Sequence, residues 1–305
     1  MSELAVSDPV EDVLVAAGPA TTTLPRKFLA RVRRDVPTTV AAVFLLLLAL
    51  AAVFAPLLAP FGPTEIVTPP VQPMGSPHWL GTDELGRDIL SRILFGARAS
   101  LGVGFVAPML AMVIGVPWGL AAGFRGGWLD TASMRLTDGL LAFPALILAM
   151  ATVAVLGPNL RNIMLAIGVV YIPRFVRLTR GEVLRIKQRE FVLASVAVGA
   201  SDLFTIRRAI FPNVVPVVSV QFTLSFATAI LAEAGLSYLG LGTQPPNPSW
   251  GAMLAVAQGY LTQAPLYSVF VGLTIFLTVL SVSLLGDALR DAVDPRRRSD
   301  PATSV

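Results

Sequence analysis

Long uncharged apolar runs constrain this chain more than any other feature, because a helix needs about 20 apolar residues to cross a hydrocarbon core of about 30 Å. The sequence contains six apolar runs, of which five are long enough. The remaining one, 159–178, is weaker, because its uninterrupted apolar part covers only about 16 Å at about 1.5 Å per residue. Charged residues make up 14% of the chain, against about 25% in a soluble domain. The sequence therefore predicts an all-α integral membrane protein with six transmembrane helices. The five runs of sufficient length are 37–59, 100–123, 139–157, 213–235 and 266–286.

Basic residues are distributed unevenly between the two sides of such a bundle. With six spans and both termini in the cytoplasm, 19 of the 23 lysines and arginines fall on the cytoplasmic side. Only Arg87, Arg92, Arg98 and Arg161 fall outside, and the outer loop 236–265 holds no charged residue. Without the fourth span, one of the last two basic regions would lie outside, against the positive-inside rule. We therefore expect six spans, a multi-pass protein and two cytoplasmic termini.

The residue types needed for several kinds of chemistry are absent. The chain has no cysteine and a single histidine, His78, so we expect no disulfide, no thiolate site and no metal site. It contains no His-Glu-x-x-His or Gly-x-Ser-x-Gly string, and no phosphate-binding loop of the Gly-x-x-x-x-Gly-Lys-Ser/Thr type. The chain is therefore not expected to be an enzyme, and any energy from nucleotide hydrolysis would have to come from a partner.

An ion-coupled carrier is an alternative within the membrane-protein class. Such carriers usually place ionisable residues or broken helices in the middle of the membrane. Here the acidic residues near the spans (Asp130, Asp138, Glu233 and Asp287) lie close to span ends. We expect Asp138 to stabilise the N-terminus of the third span electrostatically. The carrier alternative stays open because three prolines could bend spans: Pro108, Pro117 and Pro216.

Residues 189–213 form a polar, arginine-flanked segment between two apolar runs. Small side chains cluster in it, and small residues let a partner approach the backbone closely. A glycine, Gly199, is expected to turn the chain before a second short helix. The segment is therefore predicted to be a docking helix on the cytoplasmic side. An ordinary amphipathic helix lying in the membrane interface is the alternative.

Three further strings have a distinctive pattern. They read HWLGTDELGRDILSRILFGARASLGVG from His78, EAGLSYLGLGTQPPNPSWGAML from Glu233 and LLGDALRDAVDPRRR from Leu284. Together with the docking segment, they resemble the C-type permease subunit of the dipeptide/oligopeptide/nickel ABC importers. The resemblance runs from about Arg31 to Arg298.

The resemblance implies a type I ABC importer permease fold, with six transmembrane helices and a cytoplasmic coupling helix over about 189–205. It implies a bacterial cell membrane, and a chain that forms half of a translocation pathway for di- or oligopeptides. Relatives of this kind also carry nickel, haem or other small solutes, so the substrate stays open. The implied partners are a homologous permease subunit, two ATP-binding subunits, an extracytoplasmic substrate-binding protein and membrane lipid, but no nucleic acid. This chain would hold no cofactor, because ATP and Mg²⁺ would be bound by the ATPase subunits.

The resemblance also assigns residues to the contact with the ATPase. The family usually begins this motif with Glu-Ala-Ala, whereas this chain has Leu193-Ala194-Ser195. The missing glutamate removes one expected charge from the contact but leaves its small-residue face. The ATPase-coupling residues would be Glu190, Leu193, Ala194, Ser195, Ala197, Gly199, Ala200, Asp202, Ile210 and Pro212.

The same interpretation divides the chain and locates a possible pathway. Residues 1–35 would be a cytoplasmic tail, 36–99 the first helix and an outer loop, 100–290 the remaining five helices, and 291–305 a second cytoplasmic tail. Polar side chains of the fifth span, with a carboxylate at its outer end, are candidates for lining the pathway. For that carboxylate, the alternative is a helix-end group bonded to nearby backbone. The pathway candidates are Gln221, Thr223, Ser225, Thr228 and Glu233.

Four local predictions concern packing. Gly115, Gly119 and Gly123 share one face of the second span and would let another helix approach. The residues 82–84 are expected to begin a short amphipathic helix on the outer surface. The prolines within 245–248 predict a rigid turn. Trp250 suits the membrane interface.

Overall fold

The computed structural model describes residues 28, 29, 32 and 35–293, and these form helices and loops with one isolated antiparallel bridge between Thr82 and Asp88. The predicted tails, 1–35 and 291–305, lie almost entirely outside the described residues. One π-helical segment, Thr205–Ile210, joins two of the helices. The α-helices are α1 Val36–Val53, α2 Ala55–Leu58, α3 Ile89–Arg125, α4 Gly127–Leu141, α5 Ala145–Leu156, α6 Leu160–Lys187, α7 Glu190–Ala197, α8 Asp202–Phe204, α9 Phe211–Tyr238, α10 Trp250–Gln258 and α11 Pro265–Val293.

Among the described residues, five helices are long and apolar enough to cross a membrane, and there are six spans if a bent pair of helices counts as one span. The five are α1, α3, α6, the continuous helix Asp202–Tyr238 and α11. The all-α membrane fold is thus confirmed. The fourth span was predicted to be the weakest, and it is the least apolar of the five single-helix spans. It is the 28-residue helix α6.

The third span is the irregular one. Its predicted range, 139–157, begins inside α4, breaks at residues 142–144 and continues in α5, and the two helices meet at 88°. Proline explains the break, because Pro144 excludes helical backbone at Phe143 and cannot donate a helical hydrogen bond. Asp138 therefore lies in the last turn of α4 rather than at a helix N-terminus, and it forms an ion pair with Arg177. The predicted electrostatic role of Asp138 is wrong.

Helices α3 and α6 form the centre of the bundle and run parallel. The α3 glycines face successive turns of α6, and a Cβ atom on Gly119 would lie 2.6 Å from the main-chain oxygen of Val176. Gly115 faces Phe175 and Gly123 faces Val183 in the same way, which confirms the predicted close approach. Because two parallel helices need a returning segment between them, α4 and α5 together carry the chain back across the bundle.

The loop before α3 is a compact, charged structure. Asp83 accepts hydrogen bonds from the Arg87 main-chain N–H at 2.9 Å and from its Nε at 2.7 Å, and Arg92 Nε lies 3.2 Å from the same carboxylate. Burial, together with the neighbouring charge of Asp83, raises the pKa of Glu84. The prediction of a helix beginning at 82–84 is wrong. Asp88 is the N-cap of α3, and the helix continues without interruption into the second span, so no separate surface helix exists there.

Helix α1 lies at the edge of the bundle, where only 17% of its apolar window is buried. The guanidinium group of Arg98 binds the C-terminal end of α1. Its Nε donates to the main-chain oxygen of Ala52 at 2.5 Å, and its Nη2 donates to the main-chain oxygen of Val53 at 2.7 Å. Positive charge near a helix C-terminus is stabilising, since the last carbonyl groups lack partners within the helix. This contact fixes α1 against α3.

Candidate functional site

The segment between α6 and α9 folds as a tight helical hairpin, formed by α7, a glycine turn and α8. Gly199 adopts φ +79°, which a side chain would disfavour. Its N–H donates to Val196 O at 3.0 Å, and the N–H of Ala200 donates to Ser195 O at 3.1 Å. These two bonds end α7 in a Schellman motif. The predicted glycine turn before a second short helix is confirmed.

One face of this hairpin packs into the bundle. Val192 and Ser195 are each only 1% exposed, and Thr205 and Ile210 are fully buried. The hydroxyl groups of Ser195 and Thr205 lie 3.4 Å apart and tie the two arms together. Ser195 and Ile210, two of the predicted coupling residues, therefore hold the hairpin in shape and do not face outward. Ser195 is small and Ile210 is apolar, so both suit a packed position on the buried side of the hairpin.

The other face of the hairpin is apolar and uncovered. Leu193 is 57% exposed, Val196 56% and Leu203 58%. Large apolar side chains exposed on one short hairpin indicate a contact site. Of the predicted coupling residues, Ala194, Ala200 and Pro212 are half-buried, and those exposed are Glu190, Leu193, Ala197, Gly199 and Asp202.

Val196 and Leu203 were missed by the sequence prediction, which included Leu193 but not these two apolar residues. The spacing of Leu193 and Val196, three residues apart in one helix, was the available signal, because such residues share a face. Leu203 follows the turn at Gly199 and lies in a different short helix. Only the folded hairpin shows that it is exposed to the same extent as Leu193 and Val196.

The predicted pathway residues do not form one group. On α9, Gln221, Ser225 and Thr228 follow at intervals of four and three residues and therefore share a face. Gln221 Nε2 donates to Ser225 Oγ at 3.0 Å, and Thr228 is exposed. Thr223 lies on the opposite side, where a Cβ atom on Gly286 would be 2.9 Å from its Oγ1. Thr223 thus packs against α11 and is separated from the polar face.

Glu233 is fully buried and is bonded to serine hydroxyl groups. Ser100 Oγ donates to Oε2 at 2.9 Å, and Ser237 Oγ donates to Oε1 at 2.7 Å. Ser249, at the start of α10, is a further hydrogen-bond partner of the carboxylate. These contacts join α3, α9 and α10, so Glu233 connects helices and is enclosed away from the polar face of α9. Its partners are side chains rather than the backbone groups considered from the sequence.

The turn before α10 leads to a second buried anchor. Residues 245–248 form the predicted turn, and Trp250 follows at the first position of α10. Trp250 is completely buried, and its Nε1 donates to the main-chain oxygen of Ile93 at 3.0 Å. The prediction that Trp250 lies at the membrane interface is wrong, because the indole ring fills the space above Gly96 in α3.

Comparisons with known proteins agree with this architecture. Residues 115–299 match the family model described as the binding-protein-dependent transport system inner membrane component. Residues 23–72 match that of the N-terminal transmembrane domain of oligopeptide transport permease C. Over 277 residues the chain is 44% identical to the glutathione transport system permease protein GsiD of Escherichia coli, covering 88% of this chain and 90% of the relative. The same figures hold for GsiD of Shigella sonnei. Over 296 residues it is 41% identical to the dipeptide transport system permease protein DppC of Alkalihalophilus pseudofirmus, covering 96% of this chain and 95% of the relative.

Proposed function

Because the chain belongs to the family of binding-protein-dependent inner-membrane transport components, we propose that it is one permease subunit of an ATP-driven importer of di- or oligopeptides. Members of this family are multi-pass inner-membrane subunits of a larger transport complex. In this proposal the chain forms half of the pathway, and its α7–α8 hairpin receives the motion of an ATPase subunit.

The observation that carries the proposal is the exposed apolar face of the hairpin. Leu193 and Val196 lie in α7, outside the helices that are long enough to cross a membrane, and Leu203 lies in the first turn of the helix Asp202–Tyr238, beside the hairpin turn. Burial of such side chains contributes about 25 cal/mol per Å² of apolar surface. A protein partner that covers this face would therefore gain binding free energy from the burial of these side chains.

The hairpin is also connected to the parts of the bundle that would have to move. Its second arm continues through the π-helical segment into α9, and the whole stretch Asp202–Tyr238 is one 37-residue helix. Its first arm, α7, is separated from Lys187 at the end of α6 by only two residues. A push on the hairpin would thus be passed along α9, which carries Gln221 and Thr228, and against α6 in the centre of the bundle.

The proposed complex contains a homologous permease subunit, two ATP-binding subunits and an extracytoplasmic substrate-binding protein. ATP and Mg²⁺ would be held by the ATP-binding subunits, and this chain would need no cofactor. Both termini and the hairpin would lie in the cytoplasm, as the distribution of basic residues favours. The relatives named for glutathione and dipeptide transport support a peptide as the substrate.

Transport measurements distinguish this proposal from an ion-coupled carrier. The chain is reconstituted in liposomes with its partner permease, both ATPase subunits and the binding protein, and uptake of a labelled dipeptide is measured. We expect uptake that requires ATP and persists when ionophores remove all ion gradients. Uptake that follows an ion gradient and ignores ATP would contradict the proposal.

A further inference from the structure

A cavity of about 580 Å³ lies where α6 meets α7, beside the first turns of α9 and the last turn of α11. Its volume falls within the range of about 300–1,000 Å³ that is typical of ligand sites. The cavity contains neither the exposed face of the docking hairpin nor the polar face of α9. It is therefore a separate feature of the bundle.

Three arginines line this cavity, and two of them lack a counter-ion in the described part of the chain. Arg185 pairs with Glu182 at 2.7 Å. Neither Arg189 nor Arg290 has a carboxylate within ion-pair distance among residues 35–293. Within the described part of the chain, the cavity thus presents two guanidinium groups without a carboxylate partner, and such groups are suited to bidentate recognition of a phosphate or carboxylate.

The rest of the lining is apolar. Phe191 lies on the α7 side, while Val217 and Val220 lie about two to three turns into α9. A small inorganic anion would bind to the arginines only, and the apolar side chains of the cavity would stay exposed to water. A ligand with a charged group and a hydrocarbon part would use both.

The position along the helices identifies the kind of ligand. Arg290 lies in the last turn of the span α11, and Arg189 follows the end of the span α6. Both line the same cavity at one end of the bundle, at or just beyond the ends of two helices that are long enough to cross a membrane. Basic pockets between transmembrane helices at this level bind anionic lipid head groups.

We propose that this cavity binds an anionic phospholipid, with its phosphate held by Arg189 and Arg290 and the upper part of an acyl chain against Val217 and Val220. The chain's own C-terminal segment is a poorer occupant. Residues 294–305 carry three arginines against two aspartates, so their side chains oppose entry into a positive cavity. The proposal does not depend on which solute is transported.

The test measures lipid binding to the full-length chain in its complex, purified in mild detergent and stripped of loosely held lipid. Phosphatidylglycerol or phosphatidylcholine is titrated in, and the bound lipid is counted by native mass spectrometry. In the double variant Arg189→Gln/Arg290→Gln we expect phosphatidylglycerol affinity to fall at least about tenfold, with phosphatidylcholine binding unchanged. Arg135→Gln removes an exposed arginine of α4 outside the cavity and should leave both affinities as in the parent chain.

Two outcomes would overturn the lipid assignment. Equal phosphatidylglycerol binding by the double variant and the parent chain would show that the cavity is not the site. Displacement of the lipid by millimolar inorganic phosphate would show that a water-soluble anion is the natural occupant. Both exchanges are at exposed side chains, and an unchanged thermal unfolding midpoint verifies that the double variant is folded; Arg290→Gln alone repeats the test if it is not.

Discussion

Trp250 and Ile93 are 157 residues apart in the chain, yet the indole Nε1 of Trp250 donates to the main-chain oxygen of Ile93 at 3.0 Å. The contact joins the first residue of α10 to the first turns of α3. Ile93 O thus accepts a hydrogen bond from outside its own helix, and the indole ring occupies space that Gly96 leaves free. The loop between α9 and α11 is thereby fixed to the centre of the bundle.

Trp250→Phe should retain most of the packing and remove this hydrogen bond. Because an intramolecular hydrogen bond contributes about 0.5–1.5 kcal/mol net, we expect the free energy of unfolding to fall by about that amount. Denaturation of the purified protein in mixed micelles, followed by circular dichroism, measures the change. Trp79 is 69% exposed, and Trp79→Phe is the matched control, for which we expect no measurable loss. Equal stability of both variants would contradict the anchoring role.

Gly119→Ala tests the contact at the centre of the bundle. A Cβ atom there would lie 2.6 Å from Val176 O and 2.7 Å from Thr179 Cβ, so α3 and α6 would have to separate. Overpacking of this kind costs about 1–3 kcal/mol. Gly272→Ala is the control, since nothing lies within 4 Å of its Cβ position on α11. Replacing glycine by alanine in a helix is favourable by up to about 1 kcal/mol, so the two variants should change stability in opposite directions.

The sequence was sufficient for the parts of the fold that follow from periodicity and composition. The glycine face of α3 and the all-helical membrane fold were predicted correctly, and the described helices supply five spans, or six if the bent pair counts as one. The bend between α4 and α5 was missed because apolar composition over 139–157 is the same for a straight and a broken helix. Pro144 carried the signal, and it was outweighed by the length of the run. Trp250 was misplaced because an aromatic residue near a span end suits both an interface and a core, and only the tertiary contact with Ile93 decides between them.

Orientation can be tested with single cysteines, since the chain has none of its own. Ser195 and Ser249 are unsuitable positions because they are 1% and 0% exposed. Val196→Cys and Thr262→Cys place the thiol on exposed residues of the α7 arm and of the α10–α11 loop. We expect a membrane-impermeant maleimide to label Val196→Cys only from the cytoplasm and Thr262→Cys only from outside. In the proposed topology the chain crosses the membrane an odd number of times between residues 196 and 262. Labelling of both cysteines from the same side would contradict that topology.

Substrate choice is expected to lie mainly in the separate binding protein. Gln221 and Thr228 offer neutral polar groups, whereas tight recognition of a peptide's charged termini would need buried charges, which are tolerated only when paired. Gln221→Ala and Thr228→Ala should therefore lower transport of different peptides by similar factors. Competition between two labelled dipeptides measures this. A change in preference of about tenfold, which is about 1.4 kcal/mol, would show that this subunit selects its substrate.

The sequence predicts the turn of the α7–α8 hairpin but not which of its residues face the bundle. The glycine turn and the short second arm follow from Gly199 and the residues around it. The inward orientation of Ser195 does not, because it depends on the contact with Thr205 in the folded hairpin. Small residues in a helix are compatible with either face, so their presence alone could not separate the packed side from the exposed side.

Measuring peptide uptake per ATP hydrolysed, in the reconstituted complex, tests the central claim most directly. Ala194→Trp enlarges a half-buried residue beside the exposed face, and Leu203→Asp places a charge on that face itself. Gly181→Trp is the control on α6, where nothing lies within 4 Å of the Cβ position. If the hairpin transmits ATPase motion, uptake per ATP should fall at least about tenfold in the first two variants and stay at the parental value in the control, with all three folded. Parental uptake per ATP in both hairpin variants would contradict the account.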